Sequence, residues 1–219
     1  MEANNLTKSS AVIFTGGEMH TAPSPLFDAY VIAADSGYDH AVNHGVAVDL
    51  LVGDLDSISP EGLDHATQKG VPIEKHPPDK DATDLELAFS AAINRDCTSI
   101  DLYGGEGGEL AHLFGIASLL TSRLVRGASV TWHTATSLTR PLVGNSVASV
   151  VGSVGAKVSI VAIADSAGVT TSGLTWSLAG ETLSRGTSRG LHNTMTGNSA
   201  SVSIGSGAVL VISEGTNTT

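Results

Sequence analysis

Cationic side chains are scarce in this chain of 219 residues: 11 Lys and Arg stand against 22 Asp and Glu, a formal charge of −11. Such an imbalance argues against a nucleic-acid backbone or an anionic membrane surface as partner. There is one cysteine, Cys97, so no internal disulfide can form, and a reducing compartment fits. Between a helical and a strand pattern, Cys97 reads as a packing residue. Aromatic residues make up only 4% of the chain, so any core must be built from aliphatics. Long apolar runs are missing too. The most apolar stretch, residues 147–164, is broken by Ser, Gly and Lys157 and does not read as a membrane span. Residues 1–10 are polar with no apolar centre, so no signal peptide is visible and the cytoplasm is the expected location.

Acids are plentiful, and they recur where apolar runs stop. Asp35 follows Val31-Ile32-Ala33-Ala34, and Asp54 and Asp56 follow Leu50-Leu51-Val52-Gly53. Asp81 and Asp84 open a helix-like stretch. Two carboxylates about 4 Å apart repel by roughly 4 kcal/mol at an effective dielectric near 20. A group of them at buried strand ends therefore needs a cation, or a proton retained on some members. Bound Mg²⁺ is the simplest cation, and Mg²⁺ on carboxylates points to a phosphate substrate.

Up to about residue 140 strand and helix signals alternate. Strands are expected over 11–15, 30–34, 50–52, 71–74, 99–102 and 129–133. Helices are expected over 37–44, 60–69, 83–94 and 110–124. Ser59 before Pro60 and Thr83 before Glu86 are expected N-caps. Apolar strands alternating with helices predict an α/β fold: a mostly parallel sheet with helices on both faces. From about Gly144 helical periodicity ceases, and Ser, Thr, Gly and Val alternate as in short strands. A C-terminal β-sandwich is expected, with the boundary near 142 and Trp176 as an anchor of its core.

In an open parallel sheet ligands bind beyond the carboxyl ends of the strands. Asp35, Asp54 and Asp56 fall at such ends. Thr83 and Asp84 fall at a helix N-terminus suited to phosphate, with Lys80 able to meet a phosphate oxygen. The Gly-rich segment 104–108 lets backbone approach a ligand but lacks the Lys-Ser/Thr of a Walker loop. His40 and His44 share a helix face with no third ligand in view and read as surface residues.

The order of these segments resembles the thiamine pyrophosphokinase (thiamine diphosphokinase) family. The matching stretches are AADSGYDHAVNHGV (33–46), DLLVGDLDSISPEGL (49–63), KDATDLELAFSAAI (80–93), LYGGEGGELAH (102–112), SGLTWSL (172–178) and SRGLHN (188–193). The resemblance implies an enzyme that transfers pyrophosphate from ATP to the hydroxyl of thiamine, giving thiamine diphosphate and AMP. It implies a catalytic ATP/Mg-binding domain over 1–142, a thiamine-binding and dimerisation domain over 143–219, and a homodimer. Asp54, Asp56 and Asp84 would hold Mg²⁺. Asp35 and Asp81 would join them in catalysis, either one able to accept the alcohol proton. Lys80, Thr83, Gly107, Gly108 and His112 would line the nucleotide, and His192 and Asn193 would meet thiamine.

Three positions depart from the family pattern. Glu109 stands where a cation is usual, Ala111 where an acid is usual, and His192 where a serine is usual. They leave open two alternatives: an impaired nucleotide- or thiamine-binding protein on the same scaffold, or a pyrophosphokinase for another small alcohol.

Overall fold

A computed structural model describes residues 9–24 and 28–215. The chain divides into two compact units, one formed by residues up to Leu113 with Gly127–Val130, the other by Phe114–Arg126 with Thr131 onward.

The first unit alternates strands and helices: β1 (Ser10–Phe14), β2 (Ala29–Ala34), α1 (Gly37–Asn43), β3 (Leu50–Gly53), α2 (Pro60–Lys69), β4 (Ile73–Lys75), α3 (Asp84–Ile93) and β5 (Ser99–Tyr103). Its strands lie in the order β4-β3-β2-β1-β5, and every pair is parallel. The continuous apolar runs explain this, since a strand buried on both faces cannot alternate. Val12, Phe14, Val31 and Tyr103 pack with Ala41 of α1, while Ala33 and Leu51 pack with Tyr38 of α1 and Ala66 of α2. Ile13, Ile32 and Leu102, whose side chains alternate to the other side, are also fully buried. Helix α3 packs against β1, β2 and β3.

Both expected caps form. The Gly62 N–H donates to Ser59 Oγ at 2.9 Å, and the Glu86 N–H donates to Thr83 Oγ1 at 3.2 Å. Asp39 in turn accepts from both the N–H and the hydroxyl of Ser59, which ties α2 to α1.

Helix α4 (Leu110–Leu120) and strand β6 (Ser129–His133) straddle the division between the units. The second unit continues with β7 (Ser137–Val143), β8 (Ser146–Val151), β9 (Lys157–Ala162), β10 (Ser166–Ser172), β11 (Glu181–Leu183), β12 (Asn193–Thr194), β13 (Ser199–Ile204) and β14 (Ala208–Glu214). One sheet runs β12-β9-β14-β7-β6 and a second runs β11-β10-β13-β8, with antiparallel pairing between β6 and β7 and throughout the rest. Leu142, Val158, Ile160, Val209 and Val211 of the first sheet share one core with Val150, Val169, Leu183, Val202 and Ile204 of the second. This is a sandwich. Strand β7 begins at Ser137 and pairs along its length with β14.

Trp176 corrects the sequence reading. It is 63% exposed and anchors no core, because Leu, Ile and Val already fill the space between the sheets. Cys97 is buried as expected. Among the described residues no helix is long and apolar enough to cross a membrane.

Candidate functional site

β2 and β3 are adjacent and parallel, so the residues that follow them emerge side by side. Asp35 follows β2 and Asp54 follows β3; Asp84 enters from the first turn of α3. One carboxylate oxygen from each lies within 4.8 Å of the others. The backbone bends to allow this. Asp35 and Leu55 take φ of 48° and 67°, a region unfavourable for residues with a Cβ and most so for a bulky one such as Leu55. Gly53 takes φ 148°, and a Cβ there would lie 3.0 Å from Asp84 Oδ1 and 3.3 Å from Asp35 Cβ. A side chain at position 53 would occupy the mouth.

The charges are undercompensated. Lys80 Nζ donates to Asp54 Oδ2 at 2.8 Å and pairs with Asp84 Oδ1 at 3.0 Å. The second contact lies outside hydrogen-bonding geometry, so the buried Asp84 Oδ1 has an ion partner but no hydrogen bond. The bond from Lys80 is the main reason the Asp54 carboxyl is held below its usual range, and the bond to Asp54 is the main reason the Lys80 ammonium is held above its own. The Asp35 carboxylate accepts from the Ser57 N–H at 3.2 Å, and backbone bonds from Ile58 and Ser57 favour its charged form. Burial, and then the charge of Asp84, push its pKa up to about 6. A hard divalent cation is the partner this donor set suits: three hard oxygens, one of them without a hydrogen bond, in a space kept clear by glycine.

The metal set implied by the resemblance was Asp54, Asp56 and Asp84; the trio the structure gathers is Asp35, Asp54 and Asp84. Asp56 is exposed and accepts from its neighbour Ser57 Oγ at 2.8 Å, though its charge still reaches Asp35. Asp81 is exposed, three residues ahead of Asp84. Thr83 uses its hydroxyl as the cap of α3.

The Gly-rich loop pairs with the turn after β1. Gly105 N–H donates to Gly16 O at 2.7 Å, and Glu18 and Glu106 exchange backbone bonds of 2.7 and 3.1 Å. Gly104, Gly105, Gly107 and Gly108 all have positive φ between 64° and 89°, which accounts for the glycine run. A Cβ on Gly107 would strike the Glu18 side chain at 2.5 Å. Glu109, Ala111 and His112 are exposed, at and just beyond the start of α4. His40 Nε2 donates to Gly17 O at 2.8 Å, a link between α1 and the same turn.

In the second unit His192 is exposed, with φ 57°, and its N–H donates to Ser159 Oγ at 3.1 Å. Asn193 is buried, and its amide makes three hydrogen bonds to backbone. Oδ1 accepts from the N–H groups of Trp176 and Thr194, and Nδ2 donates to Trp176 O at 2.7 Å. Asn193 therefore clamps the loop that presents the exposed Trp176 indole. Sequence reading missed this link and the Lys80 bridge, because both join residues whose contact is set by the turn between elements. The Lys80–Asp84 spacing of four was the one visible hint.

Comparison with known proteins finds two family domains in the chain. The thiamin pyrophosphokinase catalytic domain matches residues 27–131, and the thiamin pyrophosphokinase vitamin B1 binding domain matches residues 150–209. No curated protein sequence matches. Among solved structures, the chain is similar to thiamine pyrophosphokinase from Bacillus subtilis (18% identity, TM-score 0.82, covering 94% of this chain and 98% of that one). It is similar to that from Geobacillus thermodenitrificans (22%, 0.79, covering 95% and 99%) and, at greater distance, to that from Candida albicans (13%, 0.74, covering 95% and 91%). With both of the family's domains present in order across most of its length, the chain belongs to the thiamin pyrophosphokinase family.

Proposed function

We propose that this thiamin pyrophosphokinase works through a Mg²⁺ centre held by Asp54 and Asp84, with Asp35 as a third oxygen donor and Asp56 as an outer acid. The observation that carries this reading is the convergence of three carboxylate oxygens within 4.8 Å beside the carboxyl ends of β2 and β3. Bound there, Mg²⁺ would neutralise the polyphosphate and make the phosphorus under attack more electrophilic. The protein's own part is positioning. Asp35, Asp54 and Asp84 fix the cation relative to the sheet, and the N-terminus of α3, capped by Thr83, offers backbone N–H groups to a phosphate. Lys80 supplies the cationic side chain nearest these acids. Gly107, Gly108 and His112 are offered as the nucleotide side. Asp81 is the carboxylate we assign to accept the alcohol proton, since Asp35 is taken up by the cluster.

For thiamine we propose His192, with Asn193 acting by holding the Trp176 loop in place. The exposed Val147, Val151 and Val154 support a homodimer. The ATP-rich cytoplasm is the compartment this reading implies. Glu109 is exposed just before α4, where its side chain can turn to solvent, so we favour an active enzyme over an impaired binder.

Incubation with ATP, Mg²⁺ and thiamine should release AMP and thiamine diphosphate in equal amounts. ADP as the product would contradict pyrophosphoryl transfer, and a preferred alcohol other than thiamine would redirect the substrate assignment.

A further inference from the structure

We propose that Lys80 is an exchangeable counterion of the carboxylate mouth: its ammonium competes with the divalent cation for Asp54 and Asp84 and, once displaced, serves the incoming polyphosphate. This rests on the Mg²⁺ reading above.

The geometry sets up a contest for the same oxygens. Lys80 Nζ is 2.8 Å from Asp54 Oδ2 and 3.0 Å from Asp84 Oδ1. Both acids belong to the trio whose oxygens converge. The three side chains are largely sequestered, with Lys80 12%, Asp54 10% and Asp84 25% exposed, so these charges feel one another through little water.

The ammonium is an incomplete partner. It hydrogen-bonds Asp54 but leaves Asp84 Oδ1 without a hydrogen bond, and it brings one positive charge to three acids. A divalent ion binds oxygens without the directional demand of an N–H donor and brings two charges. Two cations drawn to the same pair of carboxylates repel, so metal binding has to work against Lys80.

Lys80 is also built to leave. It lies outside both strand and helix, between β4 and α3, on a flexible four-carbon stem. Its ammonium can swing without breaking any ladder. A polyphosphate arriving with the metal offers it new anionic oxygens beside the N-terminus of α3. The exchange would link metal entry to nucleotide capture and hold the acids together beforehand.

The test uses the full chain and Mn²⁺ as a paramagnetic probe, without nucleotide. Lys80→Met should bind Mn²⁺ on the order of tenfold more tightly than the wild type, since a competing charge has gone. The same variant should show a raised KM for ATP. Those opposite movements separate exchange from a scaffold role, which would weaken both. Lys80→Gln, which keeps a polar donor without charge, should behave likewise if Lys80→Met folds poorly. Lys80→Arg should stay near wild-type Mn²⁺ affinity. Unchanged or weaker Mn²⁺ binding in both neutral variants overturns the exchange. Asp54→Asn separates the two layers. If it abolishes Mn²⁺ binding while the neutral Lys80 variants fail to tighten it, only the exchange is lost. If Asp54→Asn binds Mn²⁺ as the wild type does, the carboxylate centre and the exchange both fall.

Discussion

The two units treat buried polar groups in opposite ways. At the mouth of the parallel sheet, Asp35, Asp54 and Asp84 are crowded together against their own repulsion, with one lysine between two of them and one oxygen lacking a hydrogen bond. In the sandwich, the buried amide of Asn193 is held by three hydrogen bonds to the backbone of Trp176 and Thr194. A satisfied polar group is architecture. An unsatisfied set of like charges, held by a strained backbone, marks a place kept ready for something else. The contrast also separates residues that touch a ligand from residues that hold others in position.

Substitutions at the two places should therefore differ in kind. The largest effect is expected from Gly53→Val. With φ 148° and a would-be Cβ 3.0 Å from Asp84 Oδ1, the new side chain fills the mouth, and turnover should fall by at least about 100-fold. Wild-type turnover in that variant would mean the cleared space is not used.

In the sandwich, Asn193→Ala leaves two backbone N–H groups and a carbonyl without their partner. Thermal or urea unfolding should show a loss of about 2–4 kcal/mol, with KM for thiamine raised and kcat less affected. An unchanged midpoint would show that the clamp carries no weight.

Asp35→Asn should do the reverse in metal-free protein. Because the folded-state pKa of Asp35 is raised to about 6 from 3.8, the folded protein holds its proton more tightly than the unfolded chain between those values. Stability is therefore favoured below about pH 4 and declines as pH rises to about 6, then levels off. Removing the charge should add about 1–3 kcal/mol at pH 8 and nothing near pH 4. Chemical denaturation with EDTA across this range checks it, and a wild-type profile that is flat from pH 4 to 6 would count against the buried-charge account.

The smallest effect is expected from Ser59→Ala, which removes one cap bond and its link to Asp39, at about 1–2 kcal/mol and with little change in kcat. A large loss of activity there would extend the functional region into α2.

Much of the fold was legible because burial on both faces and helix capping leave local traces. The runs 30–34 and 50–52 read as buried strands and form β2 and β3, and Ser59 and Thr83 announced their helices. Trp176 was misjudged because size suggests burial, while its position depends on a clamp 17 residues away. Asp35 was seen at a strand end, but its membership of the trio in place of Asp56 depends on the positive φ at Asp35 and Leu55, which spacing alone does not reveal. Lys80 was recognised as a cation near phosphate, yet its hold on two acids arises from a turn that brings residues 54 and 80 together.

The most direct test of the centre is Mg²⁺-dependent AMP release by Asp54→Asn, measured beside its circular dichroism. Native dichroism with no detectable AMP is the expected result; near-normal AMP release from a folded variant would contradict a cation held at these strand ends.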